Sequence, residues 1–303
     1  MKFIMYRTYP LMTLISLSLL CINMESAVSV SSPTRLVAQA TQSIALDWLN
    51  KGLKAIAEGK VQDAIIAFRQ AAQLDPTLAP AHYNLGLALR QTGKLQPAAD
   101  AFYRATQADT QFASAFANLG AALLEGNNLP LAIDYLKTAL QLDPKLGFAH
   151  YNLGLARQLQ KDWQQAIASF QKAIIYSPNS AEPVYHLGNC YLQQGKLELA
   201  KSTFIKAINL NSNYTEAHYN LGLILFEQGQ LEDSLSAFRK AAQTNHNYPN
   251  AYYGAGLVFV QLKQYEQAIK VIKYARDIYQ KQGNMAWANN AEKLLTQIRN
   301  LRR

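Results

Sequence analysis

Glycine recurs every 34 residues along this chain, at Gly52, Gly86, Gly120, Gly154, Gly188, Gly222 and Gly256. With 15 glycines in 303 residues, six successive coincidences have a chance likelihood on the order of 10⁻⁸. A fixed period of this length marks a stacked repeat, in which each unit buries its apolar face on its neighbours. With the glycine as eighth residue, the units run 45–78, 79–112, 113–146, 147–180, 181–214, 215–248 and 249–282.

Other columns keep the same register. Twelve residues beyond the glycine stand Ala64, Ala98, Ala132, Ala166, Ala200, Ser234 and Ala268. Four further on are Phe68, Phe102, Leu136, Phe170, Phe204, Phe238 and Ile272, and three beyond those are Ala71, Ala105, Ala139, Ala173, Ala207, Ala241 and Ala275. Small residues let two helices approach closely, and the large residue fills the space between them. The apolar spacing is helical on both sides of a break near the fifteenth position. Gly59, Gly93, Asn127, Gly195 and Gly229 stand there, and Gly and Asn tolerate the left-handed backbone that ends a helix. Each unit therefore reads as helix A, a tight turn and helix B. The prolines agree: Pro80, Pro183 and Pro249 fall in the first turn of helix A, and Pro97 and Pro130 in that of helix B. None of these sits mid-helix, where it would cost about 3 kcal/mol. Half the residues are hydrophobic and 16% are charged, which excludes general disorder.

Unit 2 reads APAHYNLGLALRQTGKLQPAADAFYRATQADTQF and unit 4 reads GFAHYNLGLARQLQKDWQQAIASFQKAIIYSPNS. Both resemble the tetratricopeptide repeat, and the resemblance covers residues 45–282 without an insertion. It implies an all-α, right-handed superhelical solenoid of seven helix-turn-helix repeats that holds other proteins. Residues 283–303 depart from the repeat. There Trp287, Ala291, Leu294, Leu295, Ile298 and Leu301 make one apolar face, which predicts a C-terminal capping helix. Arg299, Arg302 and Arg303 in its last turn suit the negative end of the helix dipole.

The N-terminus reads as an export signal. Lys2 and Arg7 precede an uncharged apolar run over residues 11–22, followed by small and polar residues. That run spans about 18 Å as a helix, short of a hydrocarbon core of roughly 30 Å. Residues 1–40 are expected to be a signal peptide and short linker, cut after Ala40 or Ser29. The array is then expected outside the cytoplasm, in a periplasmic or equivalent compartment; an uncleaved membrane anchor is the alternative. The two cysteines are Cys21 and Cys190, so removal of the signal leaves no internal disulfide.

No phosphate loop, dinucleotide glycine pattern or nucleophile elbow occurs in the sequence. The chain is expected to be non-enzymatic, with no cofactor or metal. His82, His150 and His218 share the fourth position of units 2, 4 and 6. Helices two units apart stand roughly 16–20 Å from one another, whereas zinc needs every ligand at about 2 Å. A packing role is expected for these histidines. Cys190 shares a column with Ala88, Ala122 and Ala156 and reads as a buried small residue. The net charge is +9, with Arg69, Arg104, Lys137, Lys172, Lys206, Arg239, Lys240 and Lys273 at the twenty-fifth or twenty-sixth position. These read as a solvated outer face, and no nucleic-acid partner is expected.

The resemblance further implies that helices A line a concave groove, with their second, fifth, sixth, ninth and twelfth-to-thirteenth positions meeting the ligand. The sixth position carries Asn50, Asn84, Asn118, Asn152, His186, Asn220 and Gly254. The asparagines form a ladder of amides suited to an extended peptide backbone. The fifth position carries Leu49, Tyr83, Ala117, Tyr151, Tyr185, Tyr219 and Tyr253, and the ninth Leu53, Leu87, Ala121, Leu155, Asn189, Leu223 and Leu257. Tyrosine gives large contact area at little entropic cost, so units 4 to 7 are the expected docking surface. The second position reads Leu46, Pro80, Ser114, Phe148, Glu182, Glu216 and Asn250. Chaperone-tail-binding relatives grip a C-terminal carboxylate with lysine at the fifth position, asparagine at the ninth, and basic residues at the second and sixth positions of later units. No basic residue stands at the second, fifth or sixth position here, so that clamp is absent. Glu182 and Glu216 suit a basic ligand segment instead. The expected function is a scaffold whose groove binds an extended peptide or helix of an unidentified partner protein. The alternative is a membrane-tethered assembly factor held by its N-terminal segment.

Overall fold

The computed structural model describes residues 33–302, with side chains from residue 37. The expectations at Lys2, Arg7, residues 11–22, Cys21, Ser29 and Arg303 lie outside the described residues. The chain divides into two units, Met1–Ala40 and Thr41–Arg303. Residues 33–40 are the described part of the first and are helical. The helical pairs lie in the second.

Fifteen helices and no strand occur among the described residues. The first pairs are α1 (Pro33–Ala57) with α2 (Val61–Leu74), α3 (Ala79–Gln91) with α4 (Leu95–Ala108), and α5 (Ala113–Glu125) with α6 (Leu129–Leu142). Next come α7 (Gly147–Leu159) with α8 (Trp163–Tyr176) and α9 (Ala181–Gln193) with α10 (Leu197–Leu210). The last are α11 (Thr215–Glu227) with α12 (Leu231–Thr244) and α13 (Pro249–Gln261) with α14 (Tyr265–Lys281), followed by α15 (Met285–Leu301). Successive helices pack on one another from α2 onward, and α5–α7, α7–α9 and α11–α13 also touch. That makes an all-α solenoid with a layer of A helices on one side.

The glycine column exists because of the phenylalanine column. A Cβ on Gly86 would lie 2.6 Å from the Phe102 ring, and one on Gly188 2.7 Å from that of Phe204. The rings fill the A–B interface of each unit and are fully buried at Phe68, Phe102, Phe170 and Phe204. In unit 3 Leu136 replaces the ring, and a Cβ on Gly120 would still meet it at 2.7 Å. Overpacking of this kind costs typically about 1–3 kcal/mol.

The A-to-B turn is a Schellman motif. In unit 2 the amide of Lys94 donates to Leu89 O at 3.0 Å and that of Gly93 to Arg90 O at 2.9 Å, with Gly93 at φ 75°. Unit 3 uses Asn127 at φ 61°. Units 4 and 7 differ from the expectation of Gly or Asn. Lys161 (φ 59°) and Lys263 (φ 57°) hold the same left-handed conformation, because the motif's bonds are between backbone groups and do not require glycine.

Between units, a side chain closes the loop. Asp75 Oδ1 accepts from the Thr77 amide at 3.0 Å, and Asp109, Asp143, Asn211 and Asn245 repeat the contact. The fourth-position histidines then tie that loop to the next helix A. His82 Nε2 lies 2.9 Å from Pro76 O, His150 Nε2 2.9 Å from Pro144 O and His218 Nε2 3.0 Å from Ser212 O. All three are buried, as packing requires.

Helix α15 covers the last unit with Ala288, Ala291, Leu295 and Ile298. Trp287 and Leu301, expected on this apolar face, are exposed, and Leu294 is only half-buried. The buried stripe begins at Ala288, one residue beyond the expected Trp287, and Asn284 caps the helix by accepting from the Trp287 amide. Arg276 of α14 pairs with Asp277 and, at 2.7 Å, with Glu292 of α15, while Arg302 pairs with Glu266 at 2.8 Å.

Candidate functional site

On the A-helix layer, the fifth-position tyrosines are braced rather than free. Each sits half-buried. In units 2, 4, 5 and 6 the ring leans on the core phenylalanine of its own unit: Tyr83 on Phe102 at 5.8 Å, Tyr151 on Phe170 at 6.1 Å, Tyr185 on Phe204 at 5.8 Å and Tyr219 on Phe238 at 5.8 Å. A second ring supports most of them from the inter-unit loop. Phe112 lies 4.8 Å from Tyr83, Tyr214 4.7 Å from Tyr185 and Tyr248 5.5 Å from Tyr219. Tyr253 meets Trp287 at 5.7 Å, and that indole stacks on Tyr279 at 5.9 Å. The exposure of Trp287 thus places it at the end of the tyrosine row.

Sequence periodicity does not single out the loop rings. Their signal is the final column of the repeat: Leu78, Phe112, Leu146, Ser180, Tyr214 and Tyr248. It lies in the loop, outside the helical pattern.

Burial raises the pKa of Tyr83, Tyr151, Tyr185, Tyr219 and Tyr253 above the usual tyrosine value. Tyr248 is pushed up to about 12, again mainly by burial. Tyr214 goes up too, by burial and then by the neighbouring phenols of Tyr185 and Tyr151 and the carboxylates of Glu216 and Glu182. At neutral pH the row is a line of uncharged hydroxyls beside two carboxylates.

The asparagine ladder is tied into the fold by its own hydrogen bonds. Asn84 Nδ2 donates to Pro80 O at 2.8 Å, Asn118 to Ser114 O at 2.9 Å and Asn152 to Phe148 O at 2.8 Å. Each spends a donor on the carbonyl one turn back in its own helix, a local bond that polar side chains readily form. Asn118 also donates to Tyr83 Oη at 3.2 Å, and Asn220 donates to Asn189 Oδ1 at 2.9 Å and Tyr185 Oη at 3.4 Å. The amides therefore join one A helix to the next, and Asn118 and Asn152 are buried. Asn50 is exposed. Gly254 ends the ladder because a Cβ there would lie 2.6 Å from the Phe238 ring.

His186 takes the asparagine place in unit 5. It stacks on Phe170 at 5.6 Å, and its Nδ1 lies 3.1 Å from Gln158 Oε1. Burial lowers its pKa to about 4. Leu155 and Leu223 are half-buried beside the tyrosines, while Leu87 of unit 2 is exposed. Cys190 is fully buried and its thiol is pushed up to about 11 by burial, so it packs as a small residue. The outer arginines and lysines from Arg69 to Lys273 are all exposed. Among the described residues, no group of three or more His, Cys, Asp and Glu is placed to hold a metal ion. No described helix is long and apolar enough to cross a membrane.

Family profiles described as "TPR repeat" match residues 52–93, 188–229 and 222–263, and "Tetratricopeptide repeat" profiles match 79–112 and 148–180. The chain belongs to the tetratricopeptide-repeat family. Proteins of this family bind other proteins, and the array is a protein-interaction scaffold in that general sense. No curated protein matches the sequence significantly. Among solved structures, the array is similar to YrrB, described as a TPR protein with an unusual peptide-binding site. The identity is 27% over 64% of this chain and 99% of that one, with a TM-score of 0.52. MamA is 25% identical over 55% of this chain and 97% of its own, with a TM-score of 0.51. A tetratricopeptide repeat protein from Parabacteroides merdae, 18% identical, shares the fold over 82% of this chain and 99% of its own, with a TM-score of 0.63.

Proposed function

We propose that the A-helix layer of units 4 to 7 binds an extended peptide or a helix of a partner protein. The observation that carries this reading is the row of braced, half-exposed rings at Tyr151, Tyr185, Tyr219 and Tyr253, continued by Tyr214 and Tyr248. Such rings are held before a ligand arrives, so little entropy is lost on contact, and a phenol that accepts a hydrogen bond, as Tyr185 does from Asn220, can still donate one. Leu155, Leu223 and Asn189 extend the surface. The peptide-binding site named for YrrB supports the same use of a related array. The amide ladder then acts mainly to fix neighbouring A helices, with its remaining polar atoms as secondary contacts. Replacing Tyr185 and Tyr219 together by alanine is expected to remove the proteins that cross-link to the native array in its own cell. An unchanged set of cross-linked partners would sink the proposal.

We also read the array as exported. The sequence of residues 1–30 supports this reading. Residues 33–57 form one helix, so cleavage after Ser29 leaves it whole, whereas cleavage after Ala40 removes its first two turns. Mass spectrometry of the mature protein tests it: an N-terminus at Val30 or Thr41 fits export, and an intact Met1 fits the membrane-tethered alternative.

A further inference from the structure

One ring is missing from the row. Units 2, 5 and 6 brace the groove tyrosine with the aromatic last residue of the unit, and unit 7 does so with Trp287. Unit 4 also has its tyrosine, Tyr151, but its last residue is Ser180, so no loop ring reaches it and its second ring is His186 of the next helix A, edge-on at 5.8 Å. The gap stays open as a cavity of about 230 Å³, whose walls include Phe148, Tyr151, Ser177, Ser180, Glu182 and Pro183.

The chemistry of this gap differs from that of an apolar hole. Two aromatic rings wall it, and an exposed carboxylate, Glu182, stands at its rim. Neither Glu182 nor Glu216 joins an ion pair among the described residues. No lysine or arginine occupies the second, fifth, sixth, ninth, twelfth or thirteenth position of helices A in units 4 to 7. Ser180 caps helix α9 without a side-chain hydrogen bond to it, so its hydroxyl is available to accept from a ligand. Gly147 completes the wall, since a Cβ there would lie 2.2 Å from Ser177 Oγ. The Glu182 charge is also felt by the Tyr151 phenol, whose pKa it raises further after burial.

We propose that the gap at Ser180 is a socket for a lysine or arginine side chain of a peptide lying in the groove. The proposal rests on the groove reading above and names what that peptide must carry. A cation over the Tyr151 ring is attracted by its π face, and the unpaired Glu182 carboxylate adds a charge-assisted contact. A neutral apolar side chain would suit the rings but would strip water from Glu182 without compensation. An acidic side chain would meet the like charge of Glu182. The surrounding protein is basic overall, so selection for a cation at this place comes from the Glu182 carboxylate and not from net charge.

The test uses the purified full chain and a random twelve-residue peptide library displayed on phage. Peptides enriched on the native array are expected to share a lysine or arginine at one fixed position. Ser180→Tyr supplies the ring that units 5 and 6 carry, and should weaken those peptides at least tenfold. Glu182→Gln, a change at an exposed residue, should weaken them about fivefold with thermal unfolding unchanged. Replacing the basic residue of the peptide by norleucine should cost at least tenfold on the native array and little on Ser180→Tyr. Two results overturn the proposal separately from the groove reading. Peptides lost on Tyr185→Ala with Tyr219→Ala but lacking a fixed basic residue, or indifferent to Ser180→Tyr, would refute the socket alone. Peptides indifferent to the tyrosine pair, or no enriched peptides at all, would count against the groove and the socket together.

Discussion

The A helices of units 2 and 3 present Tyr83, Ala117, Leu87 and Ala121 at the fifth and ninth positions, and an Arg90–Glu125 ion pair spans their ends. Those of units 4 to 7 present four tyrosines, Leu155, Leu223 and three carboxylates, Glu182, Glu216 and Glu227, that join no ion pair among the described residues. Units 2 and 5 are built alike: Phe102 and Phe204 are equally buried, and a left-handed glycine, Gly93 or Gly195, closes helix A. The repeat thus keeps what holds two helices together and varies what they show. At the thirteenth position Glu125 is paired with Arg90 inside the array, whereas Glu227 joins no ion pair among the described residues.

The comparison can be broken first at its common core. Phe102→Ala and Phe204→Ala should each destabilise the array by about 3–5 kcal/mol, measured by urea unfolding analysed as coupled repeats. A large difference between the two would show that the regions are not built alike.

The next effect belongs to unit 5. His186 has its pKa lowered to about 4 by burial, below the unfolded value of about 6.5. Protonation therefore favours the unfolded chain. The stability present above pH 6.5 should fall as the pH drops through that window, by up to about 3 kcal/mol at pH 4. His82 and His150, also lowered by burial, act in the same direction in units 2 and 4. His186→Asn, which installs the residue of the other units, should remove most of the difference seen for unit 5. Equal pH dependence in wild type and variant would show that the ring is not held neutral.

A smaller change sharpens the comparison of turns. Lys161→Gly and Lys263→Gly relieve a left-handed residue with a side chain, whose cost is roughly 1–2 kcal/mol. Glycine gives part of that back as unfolded-state entropy. A net gain of about 0.5–1 kcal/mol is expected for each from thermal or urea unfolding. Gly93→Lys in unit 2 should lose a similar amount.

Much of this was legible because the repeat multiplies each signal. Seven glycines in register with Phe or an aliphatic residue identify an A–B interface from residue spacing alone, and the first-turn prolines phase it. The rest was hidden for identifiable reasons. Lys161 and Lys263 do not look like turn residues, since the bonds that define the turn are in the backbone. The bonds of the asparagines to the carbonyl one turn back leave no trace in residue spacing. Phe112, Tyr214 and Tyr248 lie in loops, where a helical pattern does not reach, and the gap at Ser180 is visible only once those rings are seen to occupy one place. The histidines read correctly as packing residues, but their bond to a loop carbonyl six residues back is a matter of three-dimensional geometry.

The central claim is that units 4 to 7, and not units 2 and 3, receive the partner. The ninth position gives a like-for-like probe in both regions. Photo-cross-linking benzoylphenylalanine placed at Leu223 should capture a partner protein in the native cell, and the same residue placed at Leu87 should not. Capture from Leu87 with none from Leu223 would contradict the account.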